Sequence, residues 1–439
     1  MTTPTDALAA HIAGVSAATV PEAVRDRAGL VLADTLGVIV AGQGDPAVAA
    51  TARRHATGGP CRLPGTAALR AAPPMAAFLN GFAGTALELD EGNYPAGGHP
   101  GVHAVAAALA EAEARQASGA ALLDAVIAGY EAGARVGMAT RLRPAAHPHG
   151  TWGTLGAAAA VARLRGHDAA TVRRVLEVAA SLGLATSATA SLRGGSVRNA
   201  YAGAAAQNGM LACDLAEAGV TGEPGGIAAV FGGVVGEGFD EGAMVAGLGE
   251  RWLIPEAFFK QASCCRETQG ALEAIELLLA EAPVAPGDVA AVEVETFASA
   301  AALSERAPAA PIAGRFSIPF TVATRIVSGH AWTDAFSEKA VADPKTQGLA
   351  ARVAVREAPE LSARLPAERV CRLTLRLRDG AVRQREVVGT PGDPDRPLPE
   401  EALREKFRRC AEPALGLRWE GAWRAARRLD ALADLSALF

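Results

Sequence analysis

The sequence has little of what marks several large protein classes. Aromatic residues make up 5% of the 439 residues, with only three tyrosines, so small and aliphatic side chains must fill most of the core. None of the six cysteines (Cys61, Cys213, Cys264, Cys265, Cys371 and Cys410) stands in a CxxC pair, which argues against zinc-ribbon and iron–sulfur spacings. In a chain of this length they read as reduced thiols. There is no basic cluster: 42 Lys and Arg against 47 Asp and Glu leave a net charge of −5, the wrong balance for a nucleic-acid surface. The N-terminus lacks the basic and apolar regions of a secretory signal. Apolar runs such as 156–161 are too short for a bilayer and soon meet Arg163 and Arg165. Half the residues are hydrophobic and the 48 glycines are not periodic, which excludes disorder and collagen-like structure. A cytoplasmic, two-domain globular protein is expected, with neither nucleic acid nor membrane as partner.

What is present is a long alanine- and glycine-rich helical pattern. Pro21 opens a first helix, with apolar residues at three- and four-residue spacing to Leu36. Similar stretches follow at 75–89, 101–115, 119–138, 150–165, 168–190 and 199–218, separated by Gly, Pro, Ser or Asn clusters, and no strand is expected among them. Beyond Trp252 the pattern changes. Residues 289–297 and 370–377 alternate apolar and polar side chains as half-buried strands do, and 383–388 is a third strand joined to the second by the Asp379-Gly380 turn. Helices are expected at 267–281, 319–329, 333–340 and 399–412, and a last one at about 418–438. The fold class is therefore mainly α with a smaller α+β domain: an all-helical domain over 1–252, joined by the C-terminal helix region 411–439, and an α+β domain over 253–410.

Four segments could carry chemistry. In the first, Glu88, Asp90 and Glu91 end a helix and a Gly/Pro loop leads to His99; carboxylates facing a histidine shift each other's proton affinity and suit acid/base work. The same carboxylates would also serve as helix-end caps. His99 and His103 are four residues apart, but Pro100, Gly101 and the missing glutamate of a HExxH motif speak against zinc, so no metal is expected. In the second, His147 lies in a Gly-rich loop entering a helix, where free N–H groups favour a carboxylate. In the third, Arg198 and Tyr201 follow a Gly-Gly turn, and arginine binds carboxylates bidentately. The fourth segment holds Lys260, Cys264, Cys265 and Arg266 at the expected domain junction, a favoured place for ligands. There a lysine could act as a base, while paired cysteines are usually buried structure.

In order along the chain, Asp34-Thr-Leu-Gly37, the acidic run ending in His99-Pro-Gly101, the 129–137 and 147–160 segments, 199–205, Lys260 to Thr268 and Phe316 to Ala323 together resemble the MmgE/PrpD family. That family contains 2-methylcitrate dehydratase, cis-aconitate decarboxylase and iminodisuccinate epimerase. The resemblance implies a large helical domain plus a smaller α+β domain, a homodimer, no cofactor and a site between the domains. It implies His99, His147, Lys260 and Glu88 or Asp90 as catalytic residues. Arg198, Tyr201, Cys265, Arg266 and Phe320 would contact the substrate. Arg198 stands near a family lysine, Cys265 replaces a histidine and Phe320 a tyrosine, so fewer donors imply a substrate with fewer carboxylates than methylcitrate or aconitate. The expected activity is a cofactor-independent lyase, of the dehydratase or decarboxylase type, removing a proton α to a carboxylate of a small carboxylic acid. An isomerase or epimerase using the same transfer, or a non-catalytic family member, are the alternatives.

Overall fold

The computed structural model describes residues 2–439. The described chain divides into two compact units, one formed by 2–188, 197–259 and 398–439, the other by 189–196 and 260–397. The division differs from the expected one chiefly near the C-terminus. The helix Glu400–Leu415, expected in the α+β domain as far as 410, belongs wholly to the first unit. Its apolar stripe explains why: Leu403, Phe407 and Ala411 recur at four-residue spacing and join the helical core.

The first unit is helical. Its longest helices, Glu22–Gly42 and Gly119–Ala139, bury nearly every residue of their middle turns. Pro73–Ala86, Pro100–Ala114, Gly153–Leu164 and Tyr201–Glu217 pack with them. Small side chains set the spacing: a Cβ on Gly81 would sit 2.7 Å from the backbone of Gly203, so these two helices touch backbone to backbone. That is how a chain poor in rings reaches close packing. The stretch 168–190, expected as one helix, ends at Ser181, and turns carry the chain on to Tyr201.

No strand was expected in this unit, yet short ladders close its loops. Gly92–Asn93 pairs with Ala257–Phe258, and Thr140–Leu142 with Gly236–Phe239. Segments of two to four residues carry no alternation that periodicity could detect.

The second unit contains a four-stranded sheet in the order Val382–Val388, Val370–Leu377, Val289–Thr296, Val353–Glu357. The first two pairs are antiparallel and the last is parallel. The hairpin forms as expected, with Gly380 at φ +91°, and Leu377 N–H donates to Ala381 O at 2.9 Å. Val353–Glu357 was not anticipated; only Val353 of its five residues is buried, so it shows little alternation. The expected helix 333–340 is split into a 3₁₀ turn, Thr333–Phe336, and the short helix Glu338–Val341, whose N-cap Ser337 accepts from Ala340 N–H. The last expected helix, 418–438, is helical over Trp419–Arg427 and gives way to turns beyond. Among the described residues no helix is long and apolar enough to cross a membrane.

Candidate active site

The acidic loop leaves Pro73–Ala86 through Leu87 and Glu88, and Glu88 adopts φ +54°, a left-handed conformation unusual for a residue with a side chain. Turning the backbone there sends successive carboxylates to different partners. Glu88 Oε2 meets Arg198 Nη1 at 2.6 Å, with both side chains 1% exposed. Asp90 Oδ2 lies 3.0 Å from His99 Nδ1 and 3.7 Å from His149 Nε2. Glu91 turns back on the loop: its Oε1 accepts from Gly101 N–H at 2.6 Å and its Oε2 from the Tyr130 hydroxyl at 3.2 Å. Gly101 is required by this contact, because a Cβ there would stand 2.4 Å from Glu91 Oε1.

Four histidines gather around Asp90. His99 and His149 stack with ring centroids 4.9 Å apart, and His147 and His149 stack at 5.1 Å. His103 Nε2 lies 3.4 Å from His149 Nδ1. Gly153 makes room for this, since a Cβ there would fall 2.3 Å from the His103 ring. Tyr201 stands edge-on to His147, centroids 5.8 Å apart.

The partners assign the hydrogens. His99 Nδ1 faces two acceptors, Asp90 and the Glu91 carbonyl at 2.5 Å, so it carries the N–H and Nε2 keeps the lone pair. His103 Nδ1 donates to His99 O at 2.9 Å, which leaves His103 Nε2 to accept from His149 Nδ1–H. His149 Nε2 is then basic. His147 Nδ1 accepts the His149 amide at 3.0 Å, so its hydrogen is on Nε2. Burial pushes the His147 and His149 pKa values well below the usual imidazole value, with the Arg198 charge adding to the effect. Burial likewise lowers His103 to about 4. At neutral pH these three rings are uncharged, and between them they present both an N–H donor and a bare nitrogen.

Burial acts on Glu91 in the opposite sense, raising it to about 8, with the Gly101 N–H pulling it down. An unfolded glutamate titrates near 4.5, so between about pH 4.5 and 8 the folded state holds the extra proton. Stability therefore falls as pH rises through that window. Glu91→Gln keeps an acceptor for Gly101 without a titrating proton. The variant is expected to show a smaller loss of stability between pH 5 and 8 than the parent, by on the order of 4 kcal/mol at most. Urea midpoints at the two pH values measure it.

Of the expected site residues, Glu88, Asp90, His99, His147, Arg198 and Tyr201 come together in the helical unit. Lys260, Cys265, Arg266 and Phe320 belong to the second unit. Lys260 is fully buried. Cys265 is partly exposed, and its amide donates to Arg315 O at 2.9 Å. Arg266 pairs with Asp393, donates to Gln269 Oε1 at 2.8 Å and reaches the Thr390 carbonyl at 3.3 Å. Phe320 is fully buried in the second unit's core beside Phe336, centroids 6.0 Å apart, where it acts as packing. Glu88 and Asp90 have different partners, Arg198 for the first and His99 for the second.

His149 and Tyr130 are not among the residues expected at the site, and Glu91 enters the expectation only as one of three carboxylates in the acidic run. His149 offered a signal, lying two residues after His147 in the same glycine loop. The group able to present three metal-ligating atoms is Asp90, His99 and His149, with these atoms within 4.8 Å of one another. It is not the His99/His103 pair, because His103 Nδ1 is spent on the His99 carbonyl. The hydrogen on His99 Nδ1 competes with a cation for this set.

A helical unit carrying a histidine–carboxylate cluster at its loop ends, together with a unit built on a mixed four-stranded sheet, defines a two-domain, mainly helical class of protein. Residues 6–239 match the MmgE/PrpD N-terminal domain and residues 263–430 the MmgE/PrpD C-terminal domain, and the chain belongs to that family. A cis-aconitate decarboxylase of Aspergillus terreus is 27% identical over 383 residues, covering 80% of this chain and 77% of that protein. The human cis-aconitate decarboxylase is 27% identical over 391 residues, covering 84% and 79%.

Proposed function

We propose that the chain is a lyase of the dehydratase or decarboxylase type that moves a proton at a carbon α to a carboxylate of a small carboxylic acid. The observation that carries this reading is the Asp90–His99 pair at 3.0 Å, next to three buried, uncharged histidines. The similarity to two cis-aconitate decarboxylases supports the reaction class.

In this mechanism Asp90 fixes the His99 tautomer, so that Nε2 is the basic nitrogen, and stabilises the imidazolium that forms when it takes a proton. A neutral His149 Nε2 provides a second acceptor, and His147 Nε2–H is a donor for the leaving group or the returning proton. Arg198, oriented by Glu88, stabilises the enolate-like charge.

A panel of di- and tricarboxylic acids followed by NMR in deuterated water tests the proposal. Loss of water or CO₂ from one member supports it. Deuterium incorporation without either loss would make the chain an isomerase or epimerase, and no change in any member would contradict the enzymatic reading.

A further inference from the structure

Asp34 of the Asp34-Thr-Leu-Gly motif is buried in the middle of the helix Glu22–Gly42. Its Oδ1 lies 2.6 Å from Lys406 Nζ, with side-chain exposures of 2% and 4%. Lys406 comes from the helix Glu400–Leu415, 317 residues beyond the loop it reaches, and its ammonium also donates to the Leu89 carbonyl at 2.8 Å. Leu89 is the residue between Glu88, which holds Arg198, and Asp90, which holds His99.

A buried ion pair is a poor source of stability, because desolvating two charges offsets their attraction, and apolar residues at such positions often serve as well. What an apolar residue cannot do is donate a hydrogen bond to a carbonyl in a turn. The Leu89 carbonyl follows a residue held at φ +54°, where the backbone is prone to relax. An ammonium with three hydrogens is suited to holding it, since Asp34 can anchor the group and still leave a hydrogen for the loop.

We propose that Lys406, anchored by Asp34, is a positioning residue that clamps the 88–90 turn and so sets the Asp90–His99 geometry. Its effect on catalysis rests on the proton-transfer reading, but the clamp itself does not. Removing the clamp frees Asp90 to move, and the Nδ1–H of His99 loses its fixed carboxylate.

The test uses the full-length protein. In the parent, the proton on His99 Nδ1, held between Asp90 and the Glu91 carbonyl, gives a downfield ¹H resonance that disappears in His99→Gln. Lys406→Met is expected to broaden or abolish this resonance, and Lys406→Arg to restore it. Because Lys406→Met alone strands Asp34 and risks misfolding, Asp34→Asn/Lys406→Met removes both charges; it is expected to fold with a thermal midpoint near the parent's and still lack the resonance. With a turned-over substrate in hand, kcat is expected to fall about 10-fold or more while KM changes less than about threefold, the sign of a lost orientation. A folded double variant that keeps the resonance would overturn the clamp. Should His99→Gln retain full turnover, the proton-transfer reading falls, and the resonance still decides the clamp.

Discussion

Replacing His99 with glutamine is expected to lower turnover by about 10²–10⁴-fold, the usual contribution of a positioned acid or base. Glutamine keeps an amide donor near Asp90 and the Glu91 carbonyl but has no basic nitrogen, so the loss should appear in kcat while the fold is retained. Asp90→Asn should act on the same step. Its amide can no longer stabilise an imidazolium, and an amide hydrogen turned toward Nδ1 would favour the opposite tautomer. Because the two residues form one unit, the double variant should be about as slow as the slower single one. Steady-state kinetics on all three variants measures this.

The largest expected effect on stability is at Arg198. Its guanidinium and the Glu88 carboxylate are both almost wholly buried. Arg198→Met leaves Glu88 buried without its guanidinium partner, which is expected to cost about 3–5 kcal/mol. Glu88→Gln/Arg198→Met removes both charges and should recover most of that loss. Denaturant midpoints of the single and double variants give the comparison. Arg198 also helps hold His147 and His149 uncharged, so both rings should gain proton affinity in either variant. Burial, the larger cause, remains in both variants, so the rings stay neutral at pH 7; activity would fall even in the stable double variant because the Arg198 charge no longer stabilises the enolate-like state.

The strong periodicities of this chain were legible. The hairpin strands 370–377 and 382–388 were found to within a residue because their alternation is long and the Asp379-Gly380 turn is explicit. The helices were legible as elements, but their ends were less so; the helix expected over 168–190 stops at Ser181, just before Gly183, a stop signal that the expected span runs past. The loop histidines stood out because Gly and Pro surround them. His149 carried a weaker signal, since a second histidine in the same loop repeats the pattern that His147 already supplies. The separate partners of Glu88, Asp90 and Glu91 were hidden for another reason: three carboxylates in four residues look alike until the backbone reverses at Glu88 and gives each a different partner. Lys406 could not have been found at all, because its link to Leu89 joins positions 317 apart and depends on how helices pack, which no local spacing encodes.

Arg266 and Phe320 occupy motif positions, but Arg266 is engaged by Asp393 and neighbouring carbonyls, and Phe320 is sealed in an apolar core. A place in a motif says little about which side chains remain available to a ligand. In the helical unit Glu88 pairs with Arg198 and Asp90 with His99, and deep burial tunes the proton affinities of Glu91, His147 and His149.

The central claim is that the Asp90–His99 pair moves a proton at carbon. It is tested most directly by following the substrate's α-carbon in deuterated water, with parent protein and His99→Gln at equal concentration. The parent is predicted to exchange or eliminate the α-hydrogen, and the variant to do so at least about 100-fold more slowly. Equal rates in the two proteins would contradict it.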